Sequence, residues 1–149
     1  MKIASDVMPY CIVGLFLVDP EMNSVLLVKD KETSEYTIPI SFLEFGEEWE
    51  ECAAKKLYED TGIEVSSEKM RHVSTFNCLD LERDYHSIAI FLYYEINSQT
   101  IELKNNYFFT NFEFLKEKFD TLIFNMKVFL QKYPNIVTVR DFTKIMKVK

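Results

Sequence analysis

Residues Ile38 to Val65 read IPISFLEFGEEWEECAAKKLYEDTGIEV and carry the strongest signal for the fold of this chain. It holds two of the three glycines of the chain, Gly46 and Gly62, and a helix is predicted between them from about Glu47 to Thr61. Four glutamates crowd the first two turns, where the positive end of the helix dipole favours negative charge. A glycine such as Gly62 commonly ends a helix in the left-handed conformation. Apolar side chains at helical spacing predict its buried stripe: Trp49, Cys52, Ala53 and Leu57.

The spacing of glycine and charged residues around this helix resembles the signature of the Nudix hydrolases, G-x5-E-x7-R-E-U-x-E-E-x-G-U, where U is a bulky aliphatic residue. The two patterns align without insertion, with Glu47 at the isolated glutamate and Gly62 at the closing glycine. Lys56 stands where that family carries a catalytic glutamate. The remaining positions are filled by Ser41 for the first glycine, Lys55 for the arginine, Leu57 and Ile63 for the aliphatic residues, and Glu59 and Asp60 for the glutamate pair.

The resemblance implies an α/β/α sandwich with a mixed sheet, in which a loop–helix–loop holds divalent metal against a diphosphate. Positions 56, 59 and 60 share one face of a helix because they are three and four residues apart. Mg²⁺ prefers several oxygen ligands, and the resemblance makes Glu59 and Asp60 the metal ligands, with Glu47 as a further member of the catalytic set. Because Lys56 places an ammonium beside these carboxylates, we predict that all three are vestigial.

The charge at position 56 decides the functional hypothesis. Each unit charge at about 4 Å is worth roughly 4 kcal/mol at a surface-like dielectric, and Lys56 changes the local charge by two units. We therefore predict a degenerate box and lost or very weak hydrolysis, in a binding or structural factor for a nucleotide, a protein or a ribonucleoprotein. No cofactor is then expected. The alternative is a nucleoside di- or triphosphate pyrophosphatase that uses Mg²⁺ or Mn²⁺, with Glu47 or Glu44 assisting Glu59 and Asp60.

Four segments resemble one branch of the family more closely, the eukaryotic enzymes that hydrolyse purine nucleoside triphosphates, including oxidised and thiopurine forms. These segments are LEFGEEWEECA at 43–53, DYHSIAIF at 84–91, NNYFFTNFEFL at 105–115 and FDTLIFNMKVFLQKYPN at 119–135. The resemblance implies a small homodimer that uses Mg²⁺. The chain departs from the branch at Asn105 and Asn106, where an acidic residue is expected. Aromatic residues also replace the tryptophans of the branch at Tyr107, Phe109 and Phe112.

Outside this stretch the sequence predicts mostly strands. Runs of apolar and β-branched residues predict strands over Pro9–Val18, Ser24–Lys29, Glu35–Ser41, His72–Leu81, Tyr85–Ile96 and Tyr107–Phe112. A long helix is predicted from about Glu113 to Lys132, and it is apolar on more than one side, which is typical of a helix in a core or at an interface. Strands, one helix, more strands and a last helix predict a mixed sheet between helical layers.

Length and composition fit one packed domain over residues 1–149. The chain is 48% hydrophobic and 15% aromatic, which is enough for a sizeable core. It lacks the run of about eighteen apolar residues that predicts a membrane span, and its first residues do not resemble a signal peptide. Cys11, Cys52 and Cys78 are too few and too scattered for a disulfide framework or a zinc site. We predict that they are reduced core residues of a cytoplasmic or nuclear protein.

The net charge of −7 is unevenly distributed along the chain. Residues 126–149 hold six of the 17 lysines and arginines and one of the 24 acidic residues, which gives +5 and leaves −12 elsewhere. The acidic total argues against nucleic acid binding over the whole surface. The basic C-terminal segment, residues 134–149, is predicted either to be solvated or to contact phosphate or an acidic partner, including a protein or a ribonucleoprotein.

Overall fold

The computed structural model describes residues 8–104 and 106–146, in which seven strands form one sheet flanked by four α-helices. The strands are β1 (Tyr10–Asp19), β2 (Ser24–Lys29), β3 (Tyr36–Thr37), β4 (Ile40–Phe42), β5 (Arg71–Asp80), β6 (Tyr85–Glu95) and β7 (Tyr107–Thr110). The helices are α1 (Trp49–Thr61), α2 (Phe112–Glu117), α3 (Phe124–Lys132) and α4 (Asp141–Met146). Asn105, Lys147 and Lys149, which entered the sequence argument, lie outside the described residues.

The sheet is mixed because its central strands β1 and β6 run parallel, pairing Tyr10 with Ser87 and Val18 with Glu95. The other pairs of named strands are antiparallel. The main order is β3-β2-β1-β6-β5, while β4 pairs with β1 and β7 pairs with β2. The pairing of β4 with the first half of β1 places residues 40–42 next to the middle of the sheet.

Alternate residues of β1 point to opposite faces of the sheet and build two separate cores. On one face, Ile12 and Phe16 pack with buried residues of α2, α3 and α4. On the other face, Val13 and Leu15 pack with Cys52 and other buried residues of α1. The predicted α/β/α sandwich is therefore confirmed.

Helix α1 begins and ends where its local sequence favours it. Glu48 and Glu51 form a capping box, in which the Glu51 carboxylate accepts the backbone N–H of Glu48 at 3.1 Å. At the other end, Gly62 has a φ of 77° and donates its N–H to the Tyr58 carbonyl at 2.8 Å. The predicted helix is confirmed, with its start at Trp49 instead of Glu47.

Two residues that the sequence predicts to be buried are exposed. Trp49 retains 39% of its accessible surface, because it is the first residue of α1 and its ring lies against His72 and not in the core. Cys11 is exposed because the core under α1 begins only at Val13, two residues further along β1. Cys52 is buried, as is Cys78, and all three cysteines are free thiols.

The single long helix predicted over residues 113–132 is wrong, because α2 and α3 are separate helices. Asn111 ends the preceding strand early by capping α2, accepting the Phe114 N–H at 2.9 Å. After α2, a 3-10 turn at Phe119–Thr121 leads into an extended segment, where the Ile123 N–H donates to the Tyr36 carbonyl at 3.1 Å. This contact with β3 breaks the helix. None of the helices in the described ranges is long and apolar enough to cross a membrane.

The basic C-terminal segment is not a solvated tail over the residues that are described. Residues 136, 139, 142 and 146 are all buried, and α4 packs Phe142 and Met146 into the same core as α3. Their spacing of three or four residues is typical of a helical apolar stripe, which the sequence argument overlooked because it counted charges. Lys144 and Arg140 remain on the surface.

Candidate functional site

A cleft of about 420 Å³ lies between β4 and the exposed side of α1. Strand β4 brings Ile40, Ser41 and Phe42 to one wall. The loop at 43–48 and successive turns of α1 form the other wall. The charged residues that line it are Glu44, Glu47, Lys55, Lys56 and Glu59. The cleft therefore brings together most of the positions that the sequence singled out.

Lys56 lines the cleft and forms an ion pair within α1. Its Nζ lies 3.5 Å from Oδ1 of Asp60, one helical turn further on, and 45% of its side chain is exposed. The ammonium thus does not swing out into solvent away from the acidic positions. It neutralises part of their charge at the place where the family signature has a carboxylate.

Asp60 is held on the side of α1 that faces β7. The hydroxyl of Tyr107 donates to its Oδ2 at 3.4 Å, and Asp60 is not among the residues that line the cleft, whereas Glu59 is. Burial, followed by the negative charge of Asp60, raises the pKa of Tyr107 to about 12. The predicted ligand pair is therefore divided, since Glu59 lines the cleft and Asp60 is paired with Lys56 and Tyr107.

Glu47 is fixed in the loop before α1. Its Oε1 accepts the Glu44 N–H at 3.0 Å, and its Oε2 lies 3.7 Å from Nζ of Lys55. The same ammonium lies 3.9 Å from Glu44. These contacts hold the Glu47 carboxylate against the loop and against Lys55.

The floor of the cleft contains a contact between Ser41 and Cys52 that was not predicted from the sequence. The hydroxyl of Ser41 lies 3.1 Å from Sγ of Cys52, and both side chains are buried. Burial raises the pKa of the Cys52 thiol, and the charge of Glu47 adds to that increase. The Ser41 side chain thus occupies space that a glycine, as in the family signature, would leave open. The helical spacing of Cys52 with Lys55, Lys56 and Glu59 is the signal that could have placed it in the site.

A second cavity of about 540 Å³ adjoins the cleft and shares Ile40 and Phe42 with it. Aromatic and apolar side chains make up much of its wall, among them Tyr85 and Phe124. The Tyr85 hydroxyl donates to Asn125 at 2.9 Å. Asp30, Glu35, Asp80 and Arg83 also line this second cavity, so the two cavities together form a trough that carries charge at both ends and aromatic rings in the second.

The described residues do not fit the metal site that the resemblance implies. Within residues 8–104 and 106–146, no group of three or more His, Cys, Asp or Glu side chains is placed to hold a metal ion. The candidate carboxylates are those of Glu44, Glu47, Glu59 and Asp60. The ammonium of Lys55 lies within 4 Å of Glu44 and Glu47, and that of Lys56 lies within 4 Å of Asp60. Mg²⁺ needs several free oxygen ligands, so the ion pairs compete with it directly.

The model of the NUDIX domain family matches residues 10–132. The chain belongs to the NUDIX domain family. This match ends with α3, so α4 lies beyond it although α4 packs into the same core.

Solved NUDIX structures share this fold at low sequence identity. The NUDIX domain of Shewanella oneidensis NrtR, solved with ADP ribose, has a TM-score of 0.66 at 14% identity over 89% of this chain and 92% of its own. The Ap4A hydrolase of C. elegans has a TM-score of 0.61 at 16% identity over 85% and 97%.

A bifunctional NMN adenylyltransferase/ADP ribose pyrophosphatase from Francisella tularensis, solved with AMP and a manganese ion, has a TM-score of 0.65 at 15% identity. It is covered over 42% of its length, and this chain over 85%. This chain spans less than half the length of the first three solved structures that it matches, at 46%, 42% and 42%. At these identities the likeness extends to the fold.

Proposed function

We propose that this protein is a NUDIX-fold binding protein with a degenerate box, in which hydrolysis is absent or very weak. The observation that carries the proposal is the ion pair between Lys56 and Asp60 at 3.5 Å, at positions where the family signature has two carboxylates. Hydrolysis by the family needs divalent metal at these positions. A tethered cation that already pairs with one carboxylate lowers the affinity for that metal.

The electrostatic cost to metal binding is large even after solvent screening. A unit charge at about 4 Å is worth roughly 4 kcal/mol at a surface-like dielectric. The Lys56 and Asp60 side chains are 45% and 36% exposed, so the true value is lower. Every factor of ten in affinity corresponds to about 1.4 kcal/mol. A repulsion of about that size, left after screening, lowers the affinity for the metal tenfold.

The ligand that we propose for the trough is a nucleotide. Its phosphates would lie near Lys55 and Lys56, whose ammonium groups would leave their ion pairs with Glu44, Glu47 and Asp60 to bind them. Its base would lie in the adjoining cavity near Phe42 and Phe124, where ring stacking is favourable. The segments that resemble the eukaryotic purine nucleoside triphosphate branch favour a purine. Structural relatives solved with ADP ribose and with AMP support a nucleotide in general.

The same proposal extends to the whole chain. Residues 1–149 would form a single domain in the cytoplasm, consistent with three free thiols. The basic C-terminal segment 134–149 would contact a protein or ribonucleoprotein partner. We also propose that the protein forms a homodimer, as the branch resemblance implies.

A second candidate function is a Mg-dependent nucleoside di- or triphosphate pyrophosphatase. The observation that favours it is that three carboxylates, Glu44, Glu47 and Glu59, line one cleft. Glu59 and Asp60 would hold Mg²⁺ or Mn²⁺ once Lys56 moved aside, and Glu47 or Glu44 would assist. This arrangement requires at least one of the observed ion pairs to open.

Incubation of the pure protein with a panel of nucleoside triphosphates and Mg²⁺ or Mn²⁺ distinguishes the two functions. We expect no turnover by the wild type and measurable release of product by Lys56→Glu, with Lys69→Glu as a control for the same charge change at an exposed site. Wild-type turnover on the order of 1 s⁻¹ or more would establish the second candidate and refute the first.

A further inference from the structure

The loop that precedes α1 carries a fully exposed aromatic ring among acidic residues. Phe45 in this segment, residues 43–48 and called here the Phe45 loop, is 107% exposed. It is flanked in sequence by Glu44, Glu47 and Glu48, and Glu44 and Glu48 are themselves exposed. Single exposed apolar residues are common. A ring held out at the tip of a capped, hydrogen-bonded loop has little conformational freedom left to lose on binding.

A small groove with the opposite charge lies between α3 and α4. It has a volume of about 210 Å³ and is lined by apolar residues, including Tyr133, Ile136 and Ile145, and by Lys132 and Lys144. This groove is called here the lysine groove. An apolar cavity of roughly 150 Å³ is large enough to hold a benzene molecule, so the lysine groove can hold one phenyl ring.

The charges around the lysine groove favour an acidic occupant. Lys116 reaches its edge, where its Nζ donates to the Pro134 carbonyl at 3.1 Å. Asp141 also lines the groove, but its carboxylate accepts the N–H groups of Val137 and Thr138 at 2.8 and 3.0 Å. Those donors, with Lys144 at 3.4 Å, hold the pKa of Asp141 below its usual range and partly neutralise its charge. Lys132 and Lys144 thus line the groove and Lys116 lies at its edge, against the single carboxylate of Asp141.

We propose that the lysine groove binds the Phe45 loop of a second copy of this chain. The loop supplies an aromatic ring with carboxylates on either side, and the groove supplies an apolar pocket with ammonium groups on either side. The loop of the same chain cannot fill the groove, because α1 and the pair α3 and α4 lie on opposite faces of the sheet. This inference names the partner of the basic segment proposed above, and it does not depend on what the cleft hydrolyses.

The contact joins two different surfaces, so it is heterologous. After one such contact, each copy of the pair retains one free loop or one free groove, so further copies can add to form head-to-tail chains or closed rings. Because charges of opposite sign meet at an exposed rim, the association should weaken as the salt concentration rises.

Sedimentation equilibrium of the full chain over a range of protein concentrations tests the proposal. We expect the wild type to self-associate, and we expect Phe45→Ser to raise the dissociation constant at least about tenfold, as for an anchor residue at an interface. The double variant Lys132→Glu/Lys144→Glu should have the same effect. Leu81→Ser and Lys69→Glu serve as matched controls, since they remove an exposed apolar side chain and reverse an exposed charge elsewhere.

Mixing the two defective variants provides a further arm of the experiment. Phe45→Ser retains an intact groove, and Lys132→Glu/Lys144→Glu retains an intact loop, so the mixture should form one-to-one pairs at a protein concentration at which each variant alone is monomeric. A wild type that is monomeric at all concentrations would overturn the proposal. Self-association that neither variant weakens, or binding of RNA by the groove in its place, would overturn it as well. A negative result would leave the hydrolysis assay unaffected.

Discussion

In this chain the residues that set the backbone of the NUDIX box, called here its frame, are kept, whereas several residues at its charged and metal-binding positions, called here its chemical positions, are replaced. Gly62 keeps the left-handed conformation that ends α1, and Leu57 is buried in the core under that helix, as the signature requires. At the chemical positions, Ser41 replaces a glycine, Lys55 replaces arginine and Lys56 replaces glutamate. Backbone geometry and the charged positions of the box therefore depend on different residues of α1 and its flanking segments, so one set can change while the other is kept.

The largest effect on the frame is expected from Leu57→Ala. This side chain is 1% exposed in the core between α1 and the sheet, and such truncations cost about 2–5 kcal/mol of unfolding free energy. Urea denaturation measures the loss. Tyr58→Ala, an adjacent exposed position on α1, should change stability far less, and equal losses at the two sites would contradict the assignment of the buried face.

Gly62→Ala tests the end of the helix. No atom lies within 4 Å of the site of an added Cβ, so the cost arises from the positive φ and should be about 1–2 kcal/mol. Gly62→Asn should recover part of the stability, because asparagine tolerates the left-handed region better than alanine. If Gly62→Ala melted at the same temperature as the wild type, the end of α1 would not depend on this glycine.

Asp60→Asn tests whether Asp60 is turned towards β7. Removing its charge should lower the pKa of Tyr107 from about 12, although burial, the larger cause, should keep it above its ordinary value of 10.0. Because the pKa in the folded state is raised, the contribution of Tyr107 to stability falls as the pH rises from about 10 towards 12. Tyrosine ring NMR over this pH range measures the pKa, with Tyr107→Phe for assignment. If the pKa of Tyr107 were the same in Asp60→Asn as in the wild type, Asp60 would not contact Tyr107 in solution.

The smallest effect is expected from Lys55→Ala. The ammonium is paired with Glu44 and with the half-buried Glu47, which is 18% exposed, but the Lys55 and Glu44 side chains are 56% and 72% exposed. Ion pairs whose cation is exposed to solvent contribute about 0–1 kcal/mol. A thermal melt beside Lys69→Ala should show little difference between the two variants. A much larger loss would mean that the ion pairs, and not the backbone, hold the loop in place.

Local signals predicted the fold well where the structure depends on neighbouring residues. Strand β2 was predicted with its observed bounds, and α1 to within two residues at its start, because an apolar and β-branched run marks the strand and a cluster of glutamates with a closing glycine marks the helix. The break between α2 and α3 was missed because it depends on the backbone contact of Ile123 with Tyr36, which is distant in sequence. Helix α4 was missed because its charges concealed a short apolar stripe.

The contacts of the candidate site were likewise predictable only where both residues are close in sequence. The pairing of Lys56 with Asp60 follows from their spacing of four residues within one helix, and an ammonium beside these carboxylates was predicted from the sequence. The contact between Tyr107 and Asp60 joins residues 47 positions apart, so spacing gives no signal for it. The Ser41–Cys52 contact likewise requires β4 to be placed against α1.

Calorimetric titration with Mg²⁺ and Mn²⁺ tests whether Lys56 prevents metal binding, because it measures metal affinity without requiring a known substrate. Wild type, Lys56→Gln and Lys56→Glu would be compared under identical conditions. The account predicts that Lys56→Glu binds the metal at least about tenfold more tightly than the wild type, with Lys56→Gln between them. A wild type that binds metal as tightly as Lys56→Glu would contradict the claim that Lys56 disables the acidic positions of the box.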